Sequence, residues 1–185
     1  MTAPAAPAEA AAPVPTATEP LSKDARDKLI ADAAKGFKQE RDKTEGLTYY
    51  TVKDTPIYKH KLSTYISVPD QGPALLRVVL ANQGKAWLNF DSMKATADDT
   101  MVLQKDFPAQ QVQRGENAAG KFETTDFVAL PTDVVALEKI ADAKTVKIEL
   151  VGKDRNTSFT LAKKAQQDLK STLAAFAAMD GLKGK

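Results

Sequence analysis

Hydrophobic positions change their period several times along this chain, and each change marks an element. Between positions 22 and 44, Leu29, Ile30, Ala33 and Phe37 recur at spacings of three and four, the rhythm of a helix with one narrow apolar stripe. Ser22 is placed to cap this helix, with Asp24 and Asp27 behind it, and Lys35, Lys38, Arg41 and Lys43 gather at the far end, where cations suit the helix dipole. Gly46 marks its stop. So narrow a stripe places the helix at the rim of a core.

From Leu47 to Leu130 the helical rhythm gives way to short runs of Val, Ile, Thr, Tyr and Phe separated by Pro, Gly, Asn and Asp, the pattern of consecutive antiparallel strands. In IYKHKLSTYISV, alternation sends Tyr58, Leu62, Ile66 and Val68 toward a core and Lys59, Lys61, Ser63 and Tyr65 to the opposite face. LLRVVLA and KAWLNF are joined through NQG, and TMVLQ follows the turn ATADD, which reads as a meander. VQRGENAAGKF is expected to be a long loop leading into FETTDFVAL. Beyond Pro131 the helical period returns in Val134, Leu137 and Ile140, with Thr132 or Asp133 as cap. TVKIELV and TSFTLA form a hairpin around GKDRN, and a last helix over 162–179 lines up Ala165, Leu169, Leu173 and Phe176, with Gly181 as its stop. The expected fold class is α+β: an N-terminal helix, an antiparallel meander of about six to eight strands, a short helix, a hairpin and a C-terminal helix packed on the sheet.

The first twenty residues stand apart. Thirteen are Ala or Pro, five of the ten prolines fall there, and none is Lys, Arg or aromatic, so the stretch offers no continuous helix and almost nothing to bury. The expected organisation is a tether over 1–20, a single globular domain over 21–180 and a frayed tail over 181–185. The leader lacks both the basic start and the apolar centre of a secretory signal. It resembles the mature N-terminus of Gram-negative bacterial envelope lipoproteins, in which a lipid-bearing Cys precedes such a spacer; that Cys is absent here. The resemblance implies a periplasmic or outer-membrane location, with the protein either lipid-anchored or secreted, and an export signal removed upstream of Thr2.

Charge and composition narrow the chemistry. The 26 basic and 24 acidic residues give +2, and since Glu9 and Glu19 lie in the leader the remainder carries +4. This is too mild and interspersed for a nucleic-acid footprint. The apolar run TLAAFAAM is too short to cross a bilayer. With no Cys there are no disulfides, thiolate metal sites or thiol nucleophiles. His60 is the sole histidine, so no pair of imidazoles binds a metal and no triad has a second base. The adjacent carboxylates Asp98 and Asp99 read as a solvated turn. No glycine-rich phosphate loop, calcium-loop spacing or GxSxG occurs, and NTS at Asn156 is a formal glycosylation acceptor that a bacterial envelope would not use. On these readings no motif-borne catalytic residue, no metal and no cofactor is expected.

One distribution is uneven: all four tyrosines and His60 lie between positions 49 and 65, interleaved with Lys53, Lys59 and Lys61. Strand tyrosines serve cross-strand packing, but those on the outward face can meet a ligand. Alternation selects Lys59, Lys61 and Tyr65 as contact residues. Trp87 joins them because it opposes Leu88 and Phe90 along KAWLNF, although core packing would also account for it. The expected function is a non-enzymatic interaction or structural module; the lipoprotein resemblance implies that it belongs to the envelope, in a class some of whose members are host-exposed antigens, with a protein partner or antibody meeting loops such as RGENAAG and GKDRN. Two alternatives stand beside it. One is a small-ligand binder or enzyme with a dispersed Asp, Glu, Tyr and Lys site; the other is an adaptor subunit of an envelope assembly with an apolar patch along Leu29, Ile30 and Phe37.

Overall fold

Ser22 Oγ accepts a hydrogen bond from the Ala25 amide at 3.3 Å and opens helix α1 (Lys23–Ala33). The helix ends earlier than its apolar spacing predicts. Gly36 takes φ +90, in the left-handed region that side chains other than glycine rarely adopt, and turns the chain into an extended run. Strand β1 (Phe37–Asp42) then pairs antiparallel with β2 (Leu47–Val52), so that positions 37–42, expected to be helical, form half of a hairpin. A computed structural model describes residues 21–53 and 60–179. The leader over 1–20, Tyr58, Lys59 and the tail over 181–185 lie outside the described residues.

The chain continues through β3 (Lys61–Pro69), β4 (Leu75–Gly84), β5 (Phe90–Ala97), β6 (Thr100–Asp106), β7 (Gln113–Asn117) and β8 (Gly120–Val128). Helix α2 (Pro131–Asp142), β9 (Val146–Gly152), β10 (Asn156–Thr160) and helix α3 (Lys163–Ala178) complete it. The expected α+β layout is present, with ten strands among the described residues arranged as two antiparallel sheets in the orders β1-β2-β3-β4-β8-β7 and β10-β9-β5-β6. Eight strands precede α2 and two form the later hairpin, within the expected number, but two of the eight come from segments expected otherwise. Besides β1, the stretch expected as a long loop contributes β7, which pairs with β8 from Gln113↔Thr124 to Asn117↔Gly120. Neither edge strand shows apolar alternation, because main-chain pairing rather than burial holds it.

The core lies between the sheets. Leu62, Leu76, Val78, Leu80 and Phe127 of the larger sheet share one buried cluster with Met93, Ala95, Leu103, Ile148 and Leu150 of the smaller. Helix α2 adds Leu137 and Ile140, and α3 adds Leu169 and Leu173. A second cluster joins α1 to the β2 and β3 flank through Ile30, Ala34, Tyr50, Ile66 and Val68, with Ala175 and Met179 from the end of α3. Phe107, just after β6, connects the sheets through rings: it meets Phe90 edge-on at 6.2 Å and Phe127 at 5.5 Å.

KAWLNF was expected as one strand, but only Phe90 belongs to β5. Residues 85–89 instead carry the chain from one sheet to the other, and polar groups anchor their backbone. The Glu123 side chain, 1% exposed, accepts hydrogen bonds from the amides of Leu88 (2.7 Å) and Asn89 (2.8 Å), from Asn82 Nδ2 (3.2 Å) and from Arg114 Nε (3.3 Å). From the opposite side Arg155 Nη2 donates to the carbonyls of Ala86 and Trp87, both at 2.8 Å. The chain passes so closely here that a Cβ on Gly152 would lie 2.1 Å from the Leu88 carbonyl oxygen, which only glycine avoids.

Candidate functional site

The outer face of the six-stranded sheet is set by strand alternation. Leu62, Ile66 and Val68 are buried on the inner face, as the sequence predicts, which turns Lys61, Ser63 and Tyr65 outward. Register then brings distant residues beside them: Tyr65 pairs with Arg77 on β4, and Arg77 pairs with Val128 on β8, next to Asp126. The Tyr65 hydroxyl donates to Asp126 Oδ2 at 2.6 Å, and Arg77 Nε donates to Asp126 Oδ1 at 3.0 Å. The Tyr49 ring stands edge-on to Tyr65 at 5.8 Å, and the Arg77 guanidinium lies 6.0 Å from the Tyr65 centroid. All three helices place their buried residues on the inner side, so among the described residues none covers this face.

Burial, reinforced by the hydrogen bond to Asp126, pushes the Tyr65 phenol up to about 12. The folded state therefore holds this proton where the unfolded chain, at the ordinary value of 10.0, releases it. Stability is expected to fall as pH rises from 10 toward 12. Ultraviolet titration should show Tyr65 ionising last among the outer-face tyrosines, and Tyr65→Phe should remove this part of the alkaline loss.

The sequence-predicted contact residues do not form one site. Lys61 and Tyr65 share the outer face, four positions apart on β3. Trp87 lies on the connector between the sheets, half-buried, with Lys121 Nζ 5.2 Å from its ring; Lys59 lies outside the described residues. Tyr49, Arg77 and Asp126 are the members that sequence reasoning missed. Asp98 and Asp99 form the β5–β6 turn with φ of 45 and 65. Asp98 accepts from the amides of Thr145 (2.8 Å) and Lys144 (3.1 Å), bonds that hold its carboxyl below the ordinary carboxylate value. His60 stacks on Phe159 with centroids 5.9 Å apart, and its Nδ1 has no hydrogen-bond partner among the described residues. No group of three His, Cys, Asp or Glu side chains suited to a metal occurs among the described residues, and no helix there is long and apolar enough to cross a membrane.

A recess of about 550 Å³ lies between α1 and the inner face of β1, β2 and β3. Ile30, Ala34, Phe37, Val68 and Tyr50 line it beside polar residues that include Asp27, Gln39 and Thr48. At one end two guanidinium groups converge on the turn after β3. Arg26 donates to the carbonyls of Pro69 (2.7 Å) and Gly72 (2.8 Å); Arg41 donates to Thr48 Oγ1 at 3.0 Å and pairs with Asp70 at 2.7 Å. The Arg41 hydrogen bond holds the Asp70 carboxyl below its ordinary value. Burial, with Asp27 nearby, raises the Tyr50 phenol above its ordinary value. Compared with known protein families and curated proteins, the chain matches none.

Proposed function

We propose that the chain is a non-enzymatic interaction module of the bacterial cell envelope that meets a protein partner through the outer face of its six-stranded sheet. The observation that carries this reading is the fixed set of Tyr49, Tyr65 and Arg77 on a sheet face that no described helix covers. Tyr and Arg dominate binding energy at protein interfaces. Here hydrogen bonding to Asp126 already orders them, so less entropy is lost on contact. Both Asp126 oxygens are engaged by Arg77 and Tyr65, which leaves the Lys61 charge to the partner. The complementary surface is one that sets a carboxylate against Lys61. The Ala/Pro leader supports the envelope location, as a spacer that holds a binding domain away from an anchor.

Site-specific photocrosslinking in cells tests this, with a benzophenone residue in place of Tyr49 and, as control, in place of Ser158 on the other sheet. The expected result is a discrete protein adduct from position 49, absent from position 158 and lost with Lys61→Glu, in an envelope fraction. Equal adducts from both positions, or an adduct indifferent to Lys61→Glu, would overturn the contact face. Recovery of the full-length native product solely from the cytosol would overturn the location.

A further inference from the structure

Where the chain leaves the larger sheet, three elements meet at one corner. Strand β4 ends at Gly84 and runs into the connector, the turn before β10 brings Arg155 across from the smaller sheet, and His60 stands at the start of β3. Between them lies a recess of about 290 Å³, whose lining includes His60, Gln83, Lys85, Arg155, Asn156 and Thr157. This volume sits at the lower edge of the range of small-ligand sites.

Its charge is one-sided. Lys85 and Arg155 line it, and among the described residues no carboxylate does. Neither cation has an ion pair among the described residues. Two acids bond residues of the lining: Glu123, which holds Asn82 and is paired with Arg114, and Glu149, which accepts from Asn156 Nδ2 at 3.1 Å. Asp154, between Lys153 and Arg155, is exposed and outside the lining. Setting Glu149 against Lys85 and Arg155 still leaves the corner positive.

The donors are held in place before any ligand arrives. Arg155 Nη2 is fixed by the carbonyls of Ala86 and Trp87, which orients the guanidinium and leaves Nε and Nη1 without a partner among the described residues. The Thr157 hydroxyl has none there either. The backbone at this corner is tightly packed, since a Cβ on Gly120 would lie 2.6 Å from the Gly84 carbonyl oxygen. Donors ordered in advance lose less entropy on binding. A guanidinium with adjacent N–H groups, an ammonium and a hydroxyl together suit the oxygens of a phosphate group. The recess has room for more than a phosphate, and the amides of Gln83 and Asn156 can meet hydroxyl groups on the molecule that carries it.

We propose that this corner recess binds a phosphate monoester carried on a small hydroxylated molecule, with Arg155 and Lys85 on the phosphate and the Thr157 hydroxyl donating to it. The carrier is a free sugar phosphate or a phosphorylated lipid headgroup, which present the same chemistry. The site shares no residue with the outer face of Tyr49, Tyr65 and Arg77, and either assignment can fail without the other.

The test titrates the ¹⁵N-labelled full chain at low ionic strength with glucose 6-phosphate. This probe should bind in the millimolar range or tighter and shift amides of residues 83–88 and 153–157, whereas glucose should shift none of them. Lys85→Glu, at an exposed position, should weaken binding by about tenfold or more. Lys38→Glu makes the same charge change on exposed β1 and should leave binding close to the parent's. Thr157→Val alters no charge and should weaken binding by about threefold or more, the loss of one hydrogen bond. Vesicles of phosphatidylcholine containing phosphatidylinositol 4-phosphate form the second arm. Co-sedimentation that Lys85→Glu abolishes assigns the site to a lipid headgroup; binding of glucose 6-phosphate without co-sedimentation assigns it to a free ligand, and both support the site. The proposal is overturned if neither probe binds, if glucose shifts the same amides, if the Lys85→Glu chain binds unchanged, or if Lys38→Glu costs as much as Lys85→Glu.

Discussion

Replacing Glu123 with alanine is expected to destabilise the fold by about 3–5 kcal/mol, the cost of removing one member of a buried charge-bearing network. The carboxylate is the shared acceptor of four donors: two connector amides, the Asn82 side chain and the Arg114 guanidinium. Truncation leaves the buried Leu88 amide and the Asn82 side chain without this acceptor, and each such orphan costs about 1–3 kcal/mol. Arg114, 30% exposed in its side chain, recovers part of its loss by turning to water. Glu123→Gln keeps the shape and one acceptor oxygen but turns an NH₂ toward donors, so it should fall between the parent and Glu123→Ala. Denaturant melts of the three chains check this order, and a Glu123→Ala loss below about 1 kcal/mol would contradict a shared buried acceptor.

Phe107→Ala is expected to cost about 3–5 kcal/mol through lost burial and the cavity left behind. The side chain is 4% exposed and its ring touches Phe90 in one sheet and Phe127 in the other. Its loss therefore opens space at a junction that neither sheet can close alone. Lys105 presses on the far side of this junction, with Nζ 4.8 Å from the Phe127 centroid and 2.7 Å from Asp133 on α2. Phe107→Leu should recover much of the loss, because Leu refills most of the volume without the ring contacts. Thermal unfolding of the pair separates cavity from ring geometry. Equal stability of Phe107→Ala and the parent would mean that the two sheets do not share this core.

Wherever burial dictated the side-chain pattern, the sequence disclosed the element. Leu62, Ile66 and Val68 alternate because β3 has a core face, and Leu137 with Ile140, or Leu169 with Leu173, keep helical spacing because one side of each helix is buried. Two of the three misread segments lie at sheet edges. FKQERD has a single apolar residue, and Phe37 fits the helical spacing of Leu29, Ile30 and Ala33 as well as it fits a strand; QRGEN has none. Their pairing is a main-chain matter that side-chain patterns do not record.

The outer-face cluster was only half legible. Alternation along β3 identified Lys61 and Tyr65, but Asp126 lies 61 positions beyond Tyr65 and 49 beyond Arg77. Its arrival depends on the register of three strands at once. Glu123 did leave a trace: it is in phase with Thr125 and Phe127 along FETTDFV, which places a carboxylate on the buried face. A single acid in step with core residues signals a buried polar partner set rather than solvent.

The connector at 85–89 is held by atoms that every amino acid shares. Glu123 receives the amides of Leu88 and Asn89, and Arg155 reaches the carbonyls of Ala86 and Trp87. Presentation is thereby uncoupled from folding in this stretch. The path of the crossing tolerates changes in the exposed side chains of Lys85 and Ala86, and natural variation there can redraw what this rim displays without redrawing the molecule beneath it.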